Sequence, residues 1–109
     1  MRNENQKQIY YESITNQLRK NNENNIKIIL NACDTAIREY QVRMKKFVPN
    51  AFKFFSELCG YKSQNQIYSI LEMRPNYDLK IKDAKIIYDE TGDERILEAI
   101  ITYFKIKND

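Results

Sequence analysis

The sequence has no histidine, and among its 109 residues only two cysteines, two glycines and two prolines. Each shortage closes off a class of chemistry. Zinc sites draw on clustered Cys and His, so the distant pair Cys33 and Cys59 makes no metal set. Without histidine the usual nucleophile–base pairs are missing, and two glycines do not build a glycine-rich phosphate loop. No enzymatic activity, cofactor, metal or small-molecule substrate is therefore expected. So little Gly and Pro also leaves few turns for a chain of many short strands. No run approaches the roughly 18 apolar residues of a membrane span. The opening MRNENQKQIYYES lacks the apolar core of a signal peptide, so the expected location is cytoplasmic, with no membrane partner. Both cysteines fall on apolar helix faces and read as small buried thiols.

What is present is long, periodic and polar-rich. The chain is 42% hydrophobic and 30% charged, a balance that suits a folded domain. Its length points to one domain, residues 1–109, with an all-α fold of about five to six helices. Ile9, Tyr10, Ile14 and Leu18 place a first helix over roughly residues 6–20. The run Asn21–Asn25 should end it, because asparagine favours turns and caps. Ile26, Ile29, Leu30, Cys33, Ile37, Tyr40 and Met44 then mark a second helix to about Phe47, stopped by Pro49. Together residues 1–47 form an N-terminal helical extension. Met73–Asp78 reads as a loop around Pro75 and Asn76. A C-terminal helical pair spans residues 79–107. Its first helix carries Ile81, Ala84, Ile87 and Tyr88 and ends at Gly92. Its second, capped by Asp93, carries Ile96, Leu97, Ile100, Ile101 and Phe104. Leu97 and Ile100 are expected to close over the core, while Ile101, Tyr103 and Phe104 offer a dimer patch.

The segment Asn50–Leu71 is the most specific. Asn50 is a good N-cap, Phe52, Phe55 and Leu58 space out one helical face, and Gly60 can adopt the left-handed conformation that ends a helix. Ser63 can cap a further short helix through Ile67, Ile70 and Leu71. Two short helices around a glycine turn outline a helix-turn-helix over residues 50–72, whose second helix reads the major groove of double-stranded DNA. An ordinary helical hairpin fits the same spacing. In the DNA-binding reading, Gln64, Asn65 and Gln66 face base edges, and Ser63 and Tyr68 supply hydroxyls. Lys53, Lys62 and Arg74 then neutralise phosphates.

Charge follows a gradient that suits this reading. Residues 1–49 hold nine Lys/Arg against five Asp/Glu, whereas residues 76–109 hold six against eight. The basic cluster Arg38, Arg43, Lys45 and Lys46 equally complements a helix C-terminal dipole. The acidic cluster Asp89, Glu90, Asp93 and Glu94 lies across a helix end and the next N-cap, and reads as structural.

From about Ala51 to Ile100 the chain resembles the small bacteriophage CII-type helix-turn-helix regulatory proteins. The resemblance rests on FFSELCGYKSQNQIYSIL, a Pro-containing loop, and LKIKDAKIIYDETGDERILEAI, in which Thr91-Gly92-Asp93 precedes an apolar helix. Ser56 departs from the alanine usual four residues before the turn glycine, and Ile67 follows Gly60 by seven residues where six is usual. The resemblance implies a λ-repressor-like helical domain that binds DNA and controls phage genes, usually as an oligomer, here expected to be a homodimer. The alternative from another class is a helical protein–protein module, an adaptor or inhibitor, using Tyr10, Tyr11, Phe52, Phe54 and Phe55.

Overall fold

The computed structural model describes residues 4–106, with side chains from Glu23 to Ile106. The fold is all-α. Five helices follow one another: α1 (Glu4–Arg43), α2 (Ala51–Leu58), α3 (Gln64–Leu71), α4 (Ile81–Thr91) and α5 (Glu94–Lys105). No helix among the described residues is long and apolar enough to cross a membrane.

The two helices expected before Phe47 are one. α1 runs unbroken for 40 residues through Asn21–Asn25. Asparagine costs a helix interior at most about 0.7 kcal/mol, and no Gly or Pro is there to end it. The stripe that follows holds the helix onto the core, with Ile29, Leu30, Cys33, Ile37 and Tyr40 all buried. The helix ends at Arg43 rather than Phe47. Residues 44–47 instead form a turn, closed by the Phe47 and Val48 N–H groups donating to the Met44 carbonyl. The side chains of Ile9, Tyr10, Tyr11, Ile14 and Leu18 lie outside those described.

α1 is the spine of the fold: it packs against each of the other four helices, most extensively along α5. The core is one cluster that receives a fully buried residue from every helix: Ile37, Phe55, Ile67, Ile87 and Ile96, none more than 2% exposed. Burying such a side chain contributes about 1.5–3 kcal/mol. The Tyr40 and Phe54 rings both meet Phe55 edge-on, at 5.2 and 5.3 Å, and stack on each other at 6.1 Å. Both thiols are buried, and burial pushes Cys33 up to about 12. Three residues of the apolar helix faces stay out of the core although their spacing points inward. Leu58, Ile81 and Leu97 are exposed, because the helical faces that α2, α4 and α5 turn inward are narrower than their apolar stripes.

The short helices are set by their ends. Asn50 Oδ1 accepts from the Lys53 N–H at 3.2 Å, which fixes the start of α2. At its end the Tyr61 N–H donates to the Ser56 carbonyl at 2.8 Å and the Gly60 N–H to that of Glu57 at 3.1 Å. This is a Schellman closure, with Gly60 at φ +77° supplying the left-handed residue. α3 closes in the same way, through Met73 N–H to Ile70 and Arg74 N–H to Ser69, but its left-handed residue is Met73 at φ +58°. Gly92 ends α4, and Asp93 caps α5 by accepting from the Arg95 N–H. The Arg95 guanidinium, hydrogen-bonded to Asp93, holds that carboxyl below its usual value, and Arg95 also pairs with Glu39 on α1.

Two predictions follow from these ends. A Cβ at Gly60 would meet nothing within 4 Å, so Gly60→Ala carries a conformational cost alone, about 1–2 kcal/mol in urea denaturation. Met73→Gly, relieving the same conformation, should not destabilise. Because the folded pKa of Asp93 is depressed, its contribution is present at neutral pH and lost as pH falls below about 4. The stability gap between the native chain and Asp93→Asn should therefore narrow on acidification, as read by denaturation at pH 7 and pH 3.

Candidate nucleic-acid interface

α2 and α3 pack on each other across a turn of residues 59–63. Ser56 and Ile67, the two positions where the sequence departs from the pattern it resembles, are both buried. The Ser56 hydroxyl donates to the Phe52 carbonyl one turn back, at 2.8 Å. That satisfies the hydroxyl internally and lets serine stand where alanine is usual.

The eight residues proposed to meet DNA separate into two groups. Lys53, Lys62, Ser63, Asn65 and Arg74 are exposed. Ser63 has the extended backbone of an N-cap, but its hydroxyl makes no capping bond. Arg74 is exposed yet paired with Glu72 at 2.8 Å. Gln64, Gln66 and Tyr68 are half-buried and engaged within the fold. Gln64 accepts from Asn50 Nδ2 at 3.1 Å and donates to the Tyr68 hydroxyl at 3.0 Å. Gln66 Oε1 accepts from the Lys62 backbone N–H at 3.2 Å. Tyr68 stacks on Phe52, with ring centroids 4.9 Å apart.

Sequence spacing gave no sign of two further members. The Arg38 guanidinium lies over the Phe52 ring, 5.3 Å from its centroid, and pairs with Asp34 one turn earlier on α1. Asn50 serves both the α2 cap and Gln64. Arg38, Phe52, Tyr68, Gln64 and Asn50 thus form a continuous run of contacts from α1 across α2 to α3. No helical or strand period relates Arg38 to Phe52, so only packing reveals the contact. Of the other basic residues in α1 and its turn, Lys45 and Lys46 are exposed. Arg43 instead donates to the Thr91 carbonyl at the end of α4 and lies over Tyr40.

The acidic cluster has structural partners throughout. Asp89 pairs with Lys85, Glu90 accepts from Tyr40, Asp93 from Arg95 and Glu94 from Tyr88. No group among the described residues suits a metal ion. Asp83, in the first turn of α4, is the one buried acid among the described residues. It accepts from the Tyr61 hydroxyl at 2.7 Å through Oδ2, while Oδ1 has no hydrogen-bond partner among the described residues. Burial, then the neighbouring Asp83 charge, push the Cys59 thiol up to about 11. Burial and the bond to Asp83 raise Tyr61 as well. The Tyr61–Asp83 bond ties the turn between α2 and α3 to the start of α4. A cleft of about 370 Å³ lies beside it, and one of about 830 Å³ separates α1 residues 23–31 from the loop after α3.

Of the proposed dimer patch, Ile101 and Phe104 are exposed, whereas Tyr103 packs partly into the core. Of the aromatics of the adaptor reading, the three phenylalanines do not form an open docking surface. Phe52 and Phe55 are buried in the core and Phe54 is half-buried.

Compared with known proteins, the chain matches no family model, no curated protein and no solved structure.

Tyr61→Phe leaves the buried Asp83 carboxylate without its hydroxyl donor, and should cost about 1–3 kcal/mol of stability in urea denaturation. Tyr77→Phe, at an exposed ring, is the control and should change stability by less than about 0.5 kcal/mol. Equal effects would show that the Asp83 bond does not hold the turn.

Proposed function

We propose that this protein is a small, sequence-specific DNA-binding transcriptional regulator of the bacteriophage type, with α3 as the helix that enters the major groove. The observation that supports the reading is the α2–α3 unit itself. Two eight-residue helices close through a glycine Schellman turn and leave Lys62, Ser63 and Asn65 exposed around the start of the second. A major groove admits a helix presented by its first turn. Asn65 is the side chain best suited to bond an adenine edge. Gln64 engages its oxygen and one amide hydrogen within the fold and Gln66 its oxygen, which leaves their remaining amide hydrogens to a base. Tyr68 and Asn50 hold Gln64 in place, so its approach to a base is preorganised.

Phosphate contacts come from Lys53 on α2, Lys62 in the turn and Arg38 on the neighbouring stretch of α1. Arg74 contributes once it exchanges Glu72 for a phosphate, an exposed pair of that kind being worth little. The mechanism is occupancy: bound protein alters transcription from an overlapping promoter, with no chemistry and no cofactor. One eight-residue helix gives few base contacts, so the regulator acts as a homodimer on paired half-sites.

The test is fluorescence anisotropy on labelled duplexes over a salt series, followed by operator selection. Non-specific binding in the range of about 1–100 μM that collapses with added salt is expected. Lys53→Ala and Lys62→Ala should weaken binding to every duplex alike and each lower the salt slope by about one. Asn65→Ala, and Gln64→Ala with Gln66→Ala, should cut specific binding by about 1–3 kcal/mol while sparing the non-specific mode. Absence of binding even at low salt would sink the reading and direct attention to protein partners.

A further inference from the structure

α5 turns Ile96 fully into the core and packs Ala99, Ile100 and Tyr103 against it. A second apolar row remains on its shoulder: Leu97, Ile101 and Phe104 are 39%, 46% and 70% exposed. Steps of four and three keep these side chains on one stripe of the helix. The C-cap Ile106, in extended backbone just past the helix, is also exposed. On one flank of the stripe, at helical angles between about 60° and 100° from Leu97, stand Glu94, Glu98 and Lys105. Glu98 and Lys105 are exposed, and neither forms an ion pair among the described residues.

We propose that this row is covered by α5 of a second copy of the chain, packed antiparallel about a two-fold axis near Ile101. The flanking charges select that occupant and that direction. In an antiparallel two-fold pair, a flank faces the same flank of its mate with the order reversed. Glu98 of one copy then meets Lys105 of the other, and the reciprocal pair forms across the axis. In this register Ile101 packs near its own copy, and Phe104 inserts beside the mate's Leu97 and Ile101. A parallel pair would instead set this flank against the core-facing side of the mate and leave both charges without partners. Exposed pairs contribute little energy but fix orientation. The stripe from Leu97 to Phe104 is only about 11 Å long and offers less than the roughly 1,200 Å² that a stable interface buries. The dimer is therefore weak, dissociating in the range of tens to hundreds of micromolar, and is consolidated when two copies share a ligand. The pairing does not rest on DNA binding, and it replaces Tyr103 of the expected patch with Leu97.

Sedimentation equilibrium of the full chain without DNA tests it. A monomer–dimer equilibrium across about 10–1,000 μM is expected, lost in Ile101→Glu and in Phe104→Glu, whose helical circular dichroism should match the native chain. Glu98→Lys and Lys105→Glu should each weaken the dimer several-fold, and the two together should restore it. A short bis-maleimide should couple Ile101→Cys to itself but not Leu97→Cys, whose copies sit about 13 Å apart along the helices; the buried Cys33 and Cys59 should react slowly. A monomer up to about 1 mM would overturn the pairing and assign the row to another partner. Efficient coupling of Leu97→Cys, or a charge-reversed double variant as weak as the singles, would overturn its antiparallel geometry.

Discussion

Ile37, Phe55, Ile67, Ile87 and Ile96 meet in one buried cluster, one residue from each helix, and every other feature of the molecule depends on that meeting. α2 and α3 are only eight residues long, too short to persist alone in water. They are helical because Phe55 and Ile67 have somewhere to go. α1 provides that place. Its apolar stripe from Ile29 to Tyr40 lies against all four other helices, so a single long element gives the shorter ones a common reference.

On this frame polar contacts act as locators. The Schellman closures of α2 and α3 satisfy terminal carbonyls and set the direction in which the chain leaves each helix. The Tyr61–Asp83 bond joins the α2–α3 turn to α4, Arg43 joins α1 to the end of α4, and Arg95 joins α1 to α5 through Glu39. Each links elements that are distant in sequence. The Asp83 carboxylate is the least comfortable of these groups, since one oxygen is buried without a hydrogen-bond partner. Its retention makes physical sense if it fixes a particular turn geometry at some cost in stability.

The same economy links scaffold and proposed interface. Phe52 is both a core residue and the ring that meets Arg38 and Tyr68. Gln64 and Gln66 are tied into the fold before any ligand arrives, so the proposed reading surface is ordered in advance and loses less entropy on binding. Arg43, exposed like Lys53 and Lys62, differs from them in bonding the Thr91 carbonyl and lying over Tyr40.

Local chemistry alone determined the all-α class, the caps at Asn50 and Asp93, and the left-handed residues Gly60 and Gly92 that mark the ends of α2 and α4. Each depends on hydrogen bonds and dihedral preferences that span a few residues. Local chemistry also misled at Asn21–Asn25, where a weak propensity against helix lost to propagation and to the packing of the stripe that follows. Which apolar residues are buried was settled by tertiary structure. Leu58, Ile81 and Leu97 satisfy the helical period yet face outward, because a stripe's width in sequence does not say how much of it a neighbour will cover. The side chains engaged by Gln64, Gln66 and Tyr68, and the arrival of Arg38 over Phe52, were likewise legible only once the helices were packed. Contacts between elements obey no period in the chain; they follow from how α1 brings the short helices together.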